Sequence, residues 1–275
     1  MDILTSGCSF TSLYHPENSL NEPRPKFPIT QKTWSDFLYK KGHNTINIGV
    51  PTNSNTNIVR GLIYHGSQMI NDGKQFSIIA QFSGPTRHEI LVSQSETVGW
   101  SEFLPKQLGG NSNEFDWNLT NFTHKDYDKH LWLLTGENFG REFSNQYNRK
   151  LCEKWGKYFF SVEEKQLNTL ERMYDLQLFC KLHDIPFKIF FMSNNYLELE
   201  YFKINENFKH ICNLIDWSCV WLFDNHGGIS EWMDDSIQDP DVRYADNPSD
   251  KHPSEFSHEK FVDDVILNWE MFQDA

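Results

Sequence analysis

A chain of 275 residues is long enough to bury a full hydrophobic core within one large domain. Its 38 acidic and 25 basic residues give a formal net charge of −13, and the basic residues are scattered along the chain, so nucleic acid is not expected as a partner. No apolar run approaches the roughly 20 residues needed to cross a bilayer, so a membrane is not expected as a partner either.

The first half of the chain alternates predicted strands and helices. The apolar start of "DILTSGCSF" predicts a buried strand that ends in a turn. Helical spacing of apolar residues follows in "TWSDFLYKKG". Next come a short strand in "NTINIGV" and a second helix in "NTNIVRGLIYHGSQMIND". The apolar run in "FSIIAQFSG" indicates a third strand.

The second half of the chain continues this alternation. The segment "VEEKQLNTLERMYDLQLFCKLHDIP" predicts a long amphipathic helix that Pro186 stops, and "FKIFFMS" and "CVWLF" predict two further strands. The segment "SHEKFVDDVILNWEMF" predicts a closing helix with Ser257 as its N-cap. Strands that alternate with helices favour an α/β fold, with a mostly parallel sheet of about five strands covered on both faces.

One long stretch, Ser93 to Lys129, does not fit the alternation. It is polar, contains "LGGNSN" and carries several aromatic residues. A loop of this length inside a compact domain is usually functional or disordered. We therefore expect one domain spanning residues 1–275, with an inserted loop region at about 93–129 that covers the functional pocket. The acidic and aromatic "EWMDD" around Glu231 either lines the pocket or, as the simpler interpretation has it, forms a solvated loop.

Cysteine usage indicates the compartment. The chain has five cysteines: Cys8, Cys152, Cys180, Cys212 and Cys219. The odd number, and the lack of any Cys-x-x-Cys spacing, argue against a disulfide framework. No signal peptide precedes the first predicted strand. These observations predict a protein of the reducing cytoplasm.

Polar clusters follow the first three predicted strands. They are "GCSFT", "GVPTNSN" and "QFSGPTR", and a fourth, "SDKHPSEFSH", precedes the last helix. In a parallel α/β sheet, ligands bind outside the carboxyl ends of the strands. We expect the four clusters to meet at that edge of the sheet.

Residues of these clusters could form a nucleophilic site. Ser9 follows a buried strand and a glycine, and a serine hydroxyl needs a neighbouring base before it attacks. His252 is the candidate base, and Asp250, two residues earlier, is the candidate that orients its imidazole. Asn53 and Asn55, with nearby backbone N–H groups, are candidate oxyanion donors. Taken singly, each of these residues is more often a turn former or a surface residue.

The order of these motifs resembles the SGNH (GDSL-type) hydrolases. "GCSFT" resembles the first block of the family, with Ser9 as the nucleophile, and "NIGVPTNSN" resembles the second. "DKHPSEFSHEKFVDDVI" resembles the last block and its helix, with His252 as the base. The resemblance implies a three-layer α/β/α flavodoxin-like fold. It also implies an enzyme that hydrolyses esters and related acyl bonds without a metal or a cofactor.

The sequence departs from the family pattern in four places. Cys8 stands where the family usually has Asp, a variant associated with viral and bacterial members, and we expect its side chain to point into the sheet. Thr52 stands where the family has a Gly whose backbone N–H binds the oxyanion. The third block, Gly-x-Asn-Asp, is absent, so Ser83, Thr86 or an Asn of the second block would have to supply the side-chain donor. Asp250 lies two residues before the histidine, whereas the family often has three.

Four other side chains bear on the site. Arg87, just beyond the third strand, either clamps a substrate carboxylate or phosphate or forms a structural pair with Glu89 or another acid. His88 and His226 lack neighbouring metal-ligand spacing, so no metal is expected. His258, at the start of the last helix, is interpreted as structural.

Two functions of different classes remain open from the sequence. The first is an acyl-ester hydrolase acting on a small-molecule or carbohydrate ester, for example a carbohydrate O-acetyl esterase. The second is a non-catalytic binding or structural module on the same fold. The retained serine, histidine and aspartate favour the first, and the missing third block favours the second. The fold alone does not decide between them.

Overall fold

The computed structural model describes residues 2–11, 32–49, 53–85, 87–93, 130–135, 146–193, 199–245 and 252–273. The strands in these ranges are β1 (Asp2–Ser6), β2 (Asn44–Asn47), β3 (Phe76–Phe82), β4 (His88–Ser93), β5 (His130–Thr135), β6 (Phe187–Phe191) and β7 (Val220–Trp221). The longer helices are α1 (Trp34–Lys40), α2 (Asn55–Asn71), α3 (Gln146–Tyr158), α4 (Val162–Leu182), α7 (Ile229–Ser236) and α9 (Glu255–Asp264). The shorter helices are α5 (Leu199–Ile204), α6 (Lys209–Cys212) and α8 (Pro240–Arg243). Three 3₁₀ turns span Trp217–Cys219, Ile266–Asn268 and Glu270–Phe272.

Five of these strands form one parallel sheet in the order β2-β1-β3-β6-β7. When only the strands of this sheet are numbered along the chain, the order is 2-1-3-4-5, which is that of flavodoxin-like folds. The expected α/β fold with a five-stranded parallel sheet is therefore confirmed. In this topology the strand order reverses at β1, and ligands bind outside the carboxyl ends of β1 and β3.

Helices cover both faces of the sheet, which gives the three-layer α/β/α arrangement. Successive side chains of a strand point to opposite faces. Ile3 accordingly packs in a core with residues of α1, α7 and α9, whereas Leu4 packs in a second core with residues of α2 and α4. Every residue of the central strand β3 is buried. A strand buried on both faces reads as the continuous apolar run seen in the sequence.

Two strands were not anticipated from the sequence. β4 and β5 form a separate antiparallel pair, in which Ser93 lies opposite His130. The pair brackets the long stretch that interrupts the alternation, and its pairing brings the two ends of that stretch together. The remainder of the expected inserted region, residues 94–129, lies outside the described residues.

The C-terminal part of the chain corrects three sequence interpretations. The segment "EWMDD" is not a solvated loop but part of α7, with Trp232 and Met233 buried. The N-cap of α9 is Ser254 rather than Ser257, because the Ser254 hydroxyl accepts a hydrogen bond from the Ser257 N–H at 3.1 Å. α9 also ends at Asp264, and the chain continues in two 3₁₀ turns. None of the described helices is both long and apolar enough to cross a membrane.

Candidate active site

Ser9 lies in a tight turn at the carboxyl end of β1. The Cys8 carbonyl accepts a hydrogen bond from the Thr11 N–H at 2.9 Å, so Ser9 and Phe10 are the central residues of a β-turn. No described residue accepts a hydrogen bond from the Ser9 N–H. Ser9 is half-buried, between two buried neighbours, Cys8 and Phe10. The turn therefore presents a hydroxyl and an N–H where the strand order reverses.

A buried glutamine holds this turn. Gln81, the sixth residue of β3, accepts hydrogen bonds at its Oε1 from the Thr11 hydroxyl at 2.8 Å and the Cys8 N–H at 3.3 Å. Its Nε2 donates to the Phe82 carbonyl at 2.9 Å. Trp34 Nε1 in turn donates to the Thr11 hydroxyl oxygen at 2.9 Å. Since the hydroxyl has one hydrogen, which goes to Gln81, the direction of every bond in this chain is fixed.

Gly7 is required by the same packing. A Cβ atom at this position would lie 2.3 Å from the Thr11 Oγ1 and 2.7 Å from the Gln81 Oε1. Both atoms belong to side chains that are already fixed by hydrogen bonds, so neither can move away without losing a bond. A glycine two residues before Ser9 is thus needed for the close approach of β1 to this network.

Gln81→Leu tests whether the network positions the serine. The substitution leaves the Cys8 N–H and the Thr11 hydroxyl without their acceptor, so we expect the free energy of unfolding to fall by roughly 2 kcal/mol or more. The turn should also loosen, and the rate of ester hydrolysis per folded molecule should fall. Urea unfolding and kinetics with p-nitrophenyl acetate measure the two effects.

Gln177→Leu is the matched control. Gln177 is also buried, and its amide pairs with the backbone of Asp216, away from the turn. This variant should lose stability but keep the hydrolysis rate of its folded fraction. Equal losses of rate in the two glutamine variants would show that Gln81 contributes only to stability.

His252 reaches the serine from the other end of the chain. Its Nε2 lies 2.9 Å from the Ser9 Oγ, although the two residues are 243 positions apart. The carbonyl of His252 accepts from the Ala245 N–H at 2.9 Å, and the next residue, Pro253, forms a bridge with Tyr244. The imidazole also lies edge-on to the Phe10 ring, with 5.3 Å between ring centroids. The structure thus brings together the two residues predicted as nucleophile and base.

Three further residues predicted for the site belong to parts of the chain that the structure does not describe. Asp250, the candidate that orients His252, and Thr52, the candidate oxyanion donor, lie outside the described residues, as does Thr86. When Nε2 of the neutral imidazole accepts a hydrogen bond from the serine hydroxyl, the one hydrogen of the ring is on Nδ1. An orienting acceptor would therefore have to lie at Nδ1.

Two of the predicted substrate-binding side chains have a structural role instead. Asn55 donates both amide hydrogens, to the Ser83 carbonyl at 3.1 Å and the Thr169 hydroxyl at 3.0 Å, and its Oδ1 accepts from the Ser83 N–H at 2.8 Å. The Ser83 hydroxyl donates to the Asn53 carbonyl at 2.6 Å. Both side chains are buried and tie the start of α2 to the end of β3. They have no hydrogen left for an oxyanion, which corrects the prediction for them.

Asn53 keeps a donor. Its Nδ2 donates one hydrogen to the Gly7 carbonyl at 3.2 Å, and its Oδ1 accepts from Asn57 at 2.6 Å. The second amide hydrogen has no acceptor among the described residues. Asn53 is thus the second-block amide that combines contact with the serine turn and an unused N–H.

Arg87 lies close to the same turn. Its Nη2 approaches the Met192 Sδ at 3.8 Å, and that sulfur lies 3.6 Å from the Cys8 Sγ. The Arg87 Nη1 is buried and has no hydrogen-bond partner within the described part of the chain. Cys8 is fully buried, with its thiol against Gln81, so it points into the sheet as expected. One methionine sulfur therefore separates the guanidinium from the residue that precedes Ser9.

His258 is buried in the first part of α9, on the helix that follows His252. Burial, with a smaller effect from a positive charge on His252, lowers the pKa of His258 to about 3. Its Nδ1 has no hydrogen-bond partner among the described residues. The imidazole is therefore neutral in the folded protein, in agreement with the structural role predicted for it.

The described side chains offer no metal site. Within the ranges that the structure describes, no group of three His, Cys, Asp or Glu side chains is arranged to hold a metal ion. The His226 ring is exposed and contacts the Asp224 carbonyl through Nδ1 at 2.7 Å. The side chain of His88 lies outside the described residues.

Comparison with known proteins gave no relative. No family model, no curated protein and no solved structure matched the chain. The feature that bears on function is therefore the site itself, a serine–histidine pair at the carboxyl edge of a parallel sheet.

Proposed function

We propose that the chain is a serine hydrolase that cleaves an acyl ester, of the kind that the SGNH resemblance implies. The observation that carries the proposal is the 2.9 Å contact between the Ser9 Oγ and the His252 Nε2. This distance is within the range over which a base activates a serine hydroxyl. The contact lies where flavodoxin-like folds bind their ligands, at the reversal of strand order.

The first half of the reaction forms an acyl-enzyme. The Ser9 Oγ attacks the ester carbonyl carbon while its proton passes to the His252 Nε2. The resulting tetrahedral intermediate collapses, the bond to the alcohol oxygen breaks, and the leaving alcohol takes the proton from His252. Asp250 is assigned to hold the imidazole in the Nδ1–H tautomer and to stabilise its positive charge.

The second half releases the acid. A water molecule gives its proton to the His252 Nε2 as its oxygen attacks the acyl carbon. The second tetrahedral intermediate then collapses, the bond to the Ser9 Oγ breaks, and His252 returns the proton to the serine. The carboxylic acid leaves and the free hydroxyl is restored.

Oxyanion stabilisation is assigned to the backbone N–H groups of Ser9 and Thr52. Turn geometry leaves the Ser9 N–H outside the Cys8–Thr11 hydrogen bond. The unused amide hydrogen of Asn53 is the candidate for the side-chain donor that the absent third block would supply. Removing one such donor typically costs about 10²–10³ in rate, so the contribution is large enough to measure.

The substrate is proposed to be a small-molecule or carbohydrate ester, such as an O-acetylated sugar. Fluorophosphonate labelling tests the hydrolase proposal directly, because the probe reacts only with an activated serine. Mass spectrometry should locate the adduct on Ser9. Heat-denatured protein is the control, and the absence of an adduct from the native protein would reject the activated serine.

A binding module on the same fold is the second candidate. It is favoured by one observation, that Asn55 and Ser83 have no free donor for an oxyanion. A binding module would retain the fold and its ligand crevice but would show neither labelling nor turnover. The fluorophosphonate result therefore distinguishes the two candidates.

Asp250→Ala and His252→Ala are expected to differ in residual activity. His252→Ala removes the group that receives the serine proton, whereas Asp250→Ala leaves nucleophile and base in place. The aspartate variant should therefore keep at least about tenfold more kcat than the histidine variant on p-nitrophenyl acetate. A wild-type rate in Asp250→Ala would assign the orienting role to another acceptor, such as a backbone carbonyl. Equal residual rates in the two variants would place Asp250 and His252 in one inseparable unit.

A further inference from the structure

Arg87 has an unused hydrogen-bonding capacity beside the candidate active site. A guanidinium carries five N–H donors and stays charged at physiological pH. Among the described residues, the only polar atom in contact with the Arg87 guanidinium is the Met192 thioether sulfur, which is a weak acceptor. No carboxylate among the described side chains, to which that of Glu89 does not belong, forms an ion pair with it.

The fold places this guanidinium at the same crevice as Ser9. Arg87 closes a turn directly after β3, in which its N–H donates to the Gly84 carbonyl at 3.2 Å. Met192 directly follows β6, and the serine turn directly follows β1. These three strands are adjacent in the sheet, and neighbouring strands are about 4.8 Å apart. The shared contact with Met192 Sδ links the guanidinium to Cys8, which precedes the nucleophile.

A partly buried cation that no strong acceptor among the described side chains offsets is unfavourable in the protein alone. Removing a charge from water carries a desolvation penalty that only an opposite charge or strong acceptors offset. The planar fork of Arg matches the two oxygens of a carboxylate or phosphate, and such bidentate pairs are among the strongest hydrogen bonds in proteins. A guanidinium to which the described side chains offer only a thioether sulfur is therefore suited to a ligand that brings an anion.

We infer that Arg87 selects esters that carry a carboxylate or a phosphate near the scissile bond. This inference rests on the proposed hydrolase function and specifies its substrate class. Because the net charge of the protein is −13, its surface as a whole repels anions. A general attraction of anions to the surface therefore does not explain such a preference. Selection would depend on one local cation, and high salt would weaken it only in part, since buried pairs are screened less than exposed ones.

Matched ester substrates test the selection. 4-Acetoxybenzoate and 4-acetoxyphenyl phosphate carry an anion on the leaving group, and methyl 4-acetoxybenzoate is the neutral counterpart. The quantity to compare is the ratio of kcat/KM for each anionic ester to kcat/KM for the neutral ester. Arg87→Gln should lower this ratio by about 10- to 100-fold, which is the change in affinity expected when a hydrogen bond between charged groups is lost. Arg87→Lys, which keeps the charge but not the fork, should fall between Arg87→Gln and the wild type.

Arg172→Gln is the control for loss of a positive charge elsewhere. Arg172 lies on α4 and pairs with Asp175 at 2.9 Å. This variant should retain the wild-type ratio. An unchanged ratio in Arg87→Gln would overturn the inference, and a preference for only one of the two anionic esters would identify which anion the site accepts.

Binding measurements separate this inference from the hydrolase proposal. Calorimetric titration of benzoate and of inorganic phosphate into the Ser9→Ala variant requires no turnover. Binding of either anion that is lost in Ser9→Ala/Arg87→Gln supports the anion site even where no ester is cleaved. Ester cleavage without anion preference, or the absence of both cleavage and anion binding, would overturn it.

Stability gives a readout that distinguishes an anion site from a structural ion pair. If Arg87 is unpaired, Arg87→Gln should maintain or raise the urea midpoint in anion-free buffer, because a desolvated charge is removed. Phosphate should raise the midpoint of the wild type but not of this variant. A lower midpoint in Arg87→Gln, with no effect of phosphate on the wild type, would identify a structural pair with an acid such as Glu89 and overturn the inference.

Discussion

Ser9→Ala is expected to lower kcat/KM for p-nitrophenyl acetate by at least about 10³-fold. In the proposed mechanism the Ser9 Oγ, which lies 2.9 Å from the His252 Nε2, forms the acyl-enzyme, and alanine leaves nothing in its place to attack the carbonyl. The thiol of the neighbouring Cys8 cannot substitute, since it is fully buried against Gln81 and Met192. Initial rates, with the spontaneous hydrolysis subtracted, measure the change.

Ser67→Ala is the matched control for this prediction. The Ser67 hydroxyl donates to the Ile63 carbonyl within α2 at 2.7 Å and takes no part in the serine turn. This variant should hydrolyse the ester at close to the wild-type rate. Equal trace rates in the wild type and Ser9→Ala would end the hydrolase proposal and leave the binding module.

The sequence predicts the strands of the main sheet because their apolar runs have few alternatives. β1, β3 and β6 are buried on both faces, so they read as short continuous apolar segments between turn residues. The pairing of Ser9 with His252 has a different origin. No periodicity links residues 243 positions apart, and it was the order of the motifs along the chain that predicted their meeting.

Some missed features did leave a signal in the sequence. In α7, Ile229, Trp232 and Met233 follow the i, i+3, i+4 spacing of a buried helix face, although the acidic residues between them suggest a loop. Gln81 is the one amide in the apolar run of β3, and a polar group in a strand buried on both faces needs hydrogen-bond partners. That requirement indicates a network, although not which atoms complete it.

Other features leave no local signal. Asn55 has no donor free for a substrate because one of its partners is Thr169, which is 114 positions away in α4. An asparagine with the same sequence neighbours in a solvated turn would keep its side-chain amide free. Whether a polar side chain of a turn binds a ligand or holds the fold together therefore depends on tertiary contacts that spacing along the chain does not encode.

The folded protein is expected to lose stability steeply in mild acid, owing to His258. In the unfolded chain this imidazole binds a proton near pH 6.5, whereas burial lowers its pKa in the folded state to about 3. Below pH 6.5 the unfolded state therefore holds a proton that the folded state lacks. The contribution of the neutral His258 imidazole to the free energy of unfolding is fully present above pH 6.5. It is lost as the pH falls towards 3, at ~1 kcal/mol per pH unit.

Urea unfolding of the wild type and His258→Phe between pH 4.5 and pH 7.5 measures this contribution. The phenyl ring fills the buried site without a titrating group, so the dependence due to His258 should disappear from the variant while the dependence due to carboxylates remains. The difference in unfolding free energy between the two proteins should then be constant near pH 7.5 and should shift in favour of the variant at lower pH.

His258→Gln controls for imperfect packing of the phenyl ring in His258→Phe. It also lacks a titrating group, so its unfolding free energy should show the same change in slope with pH. His226→Gln, which removes an exposed imidazole, is the control. Parallel curves for the wild type and both His258 variants would show that the folded protein binds this proton as readily as the unfolded chain, and that the helix following His252 does not bury a neutral histidine.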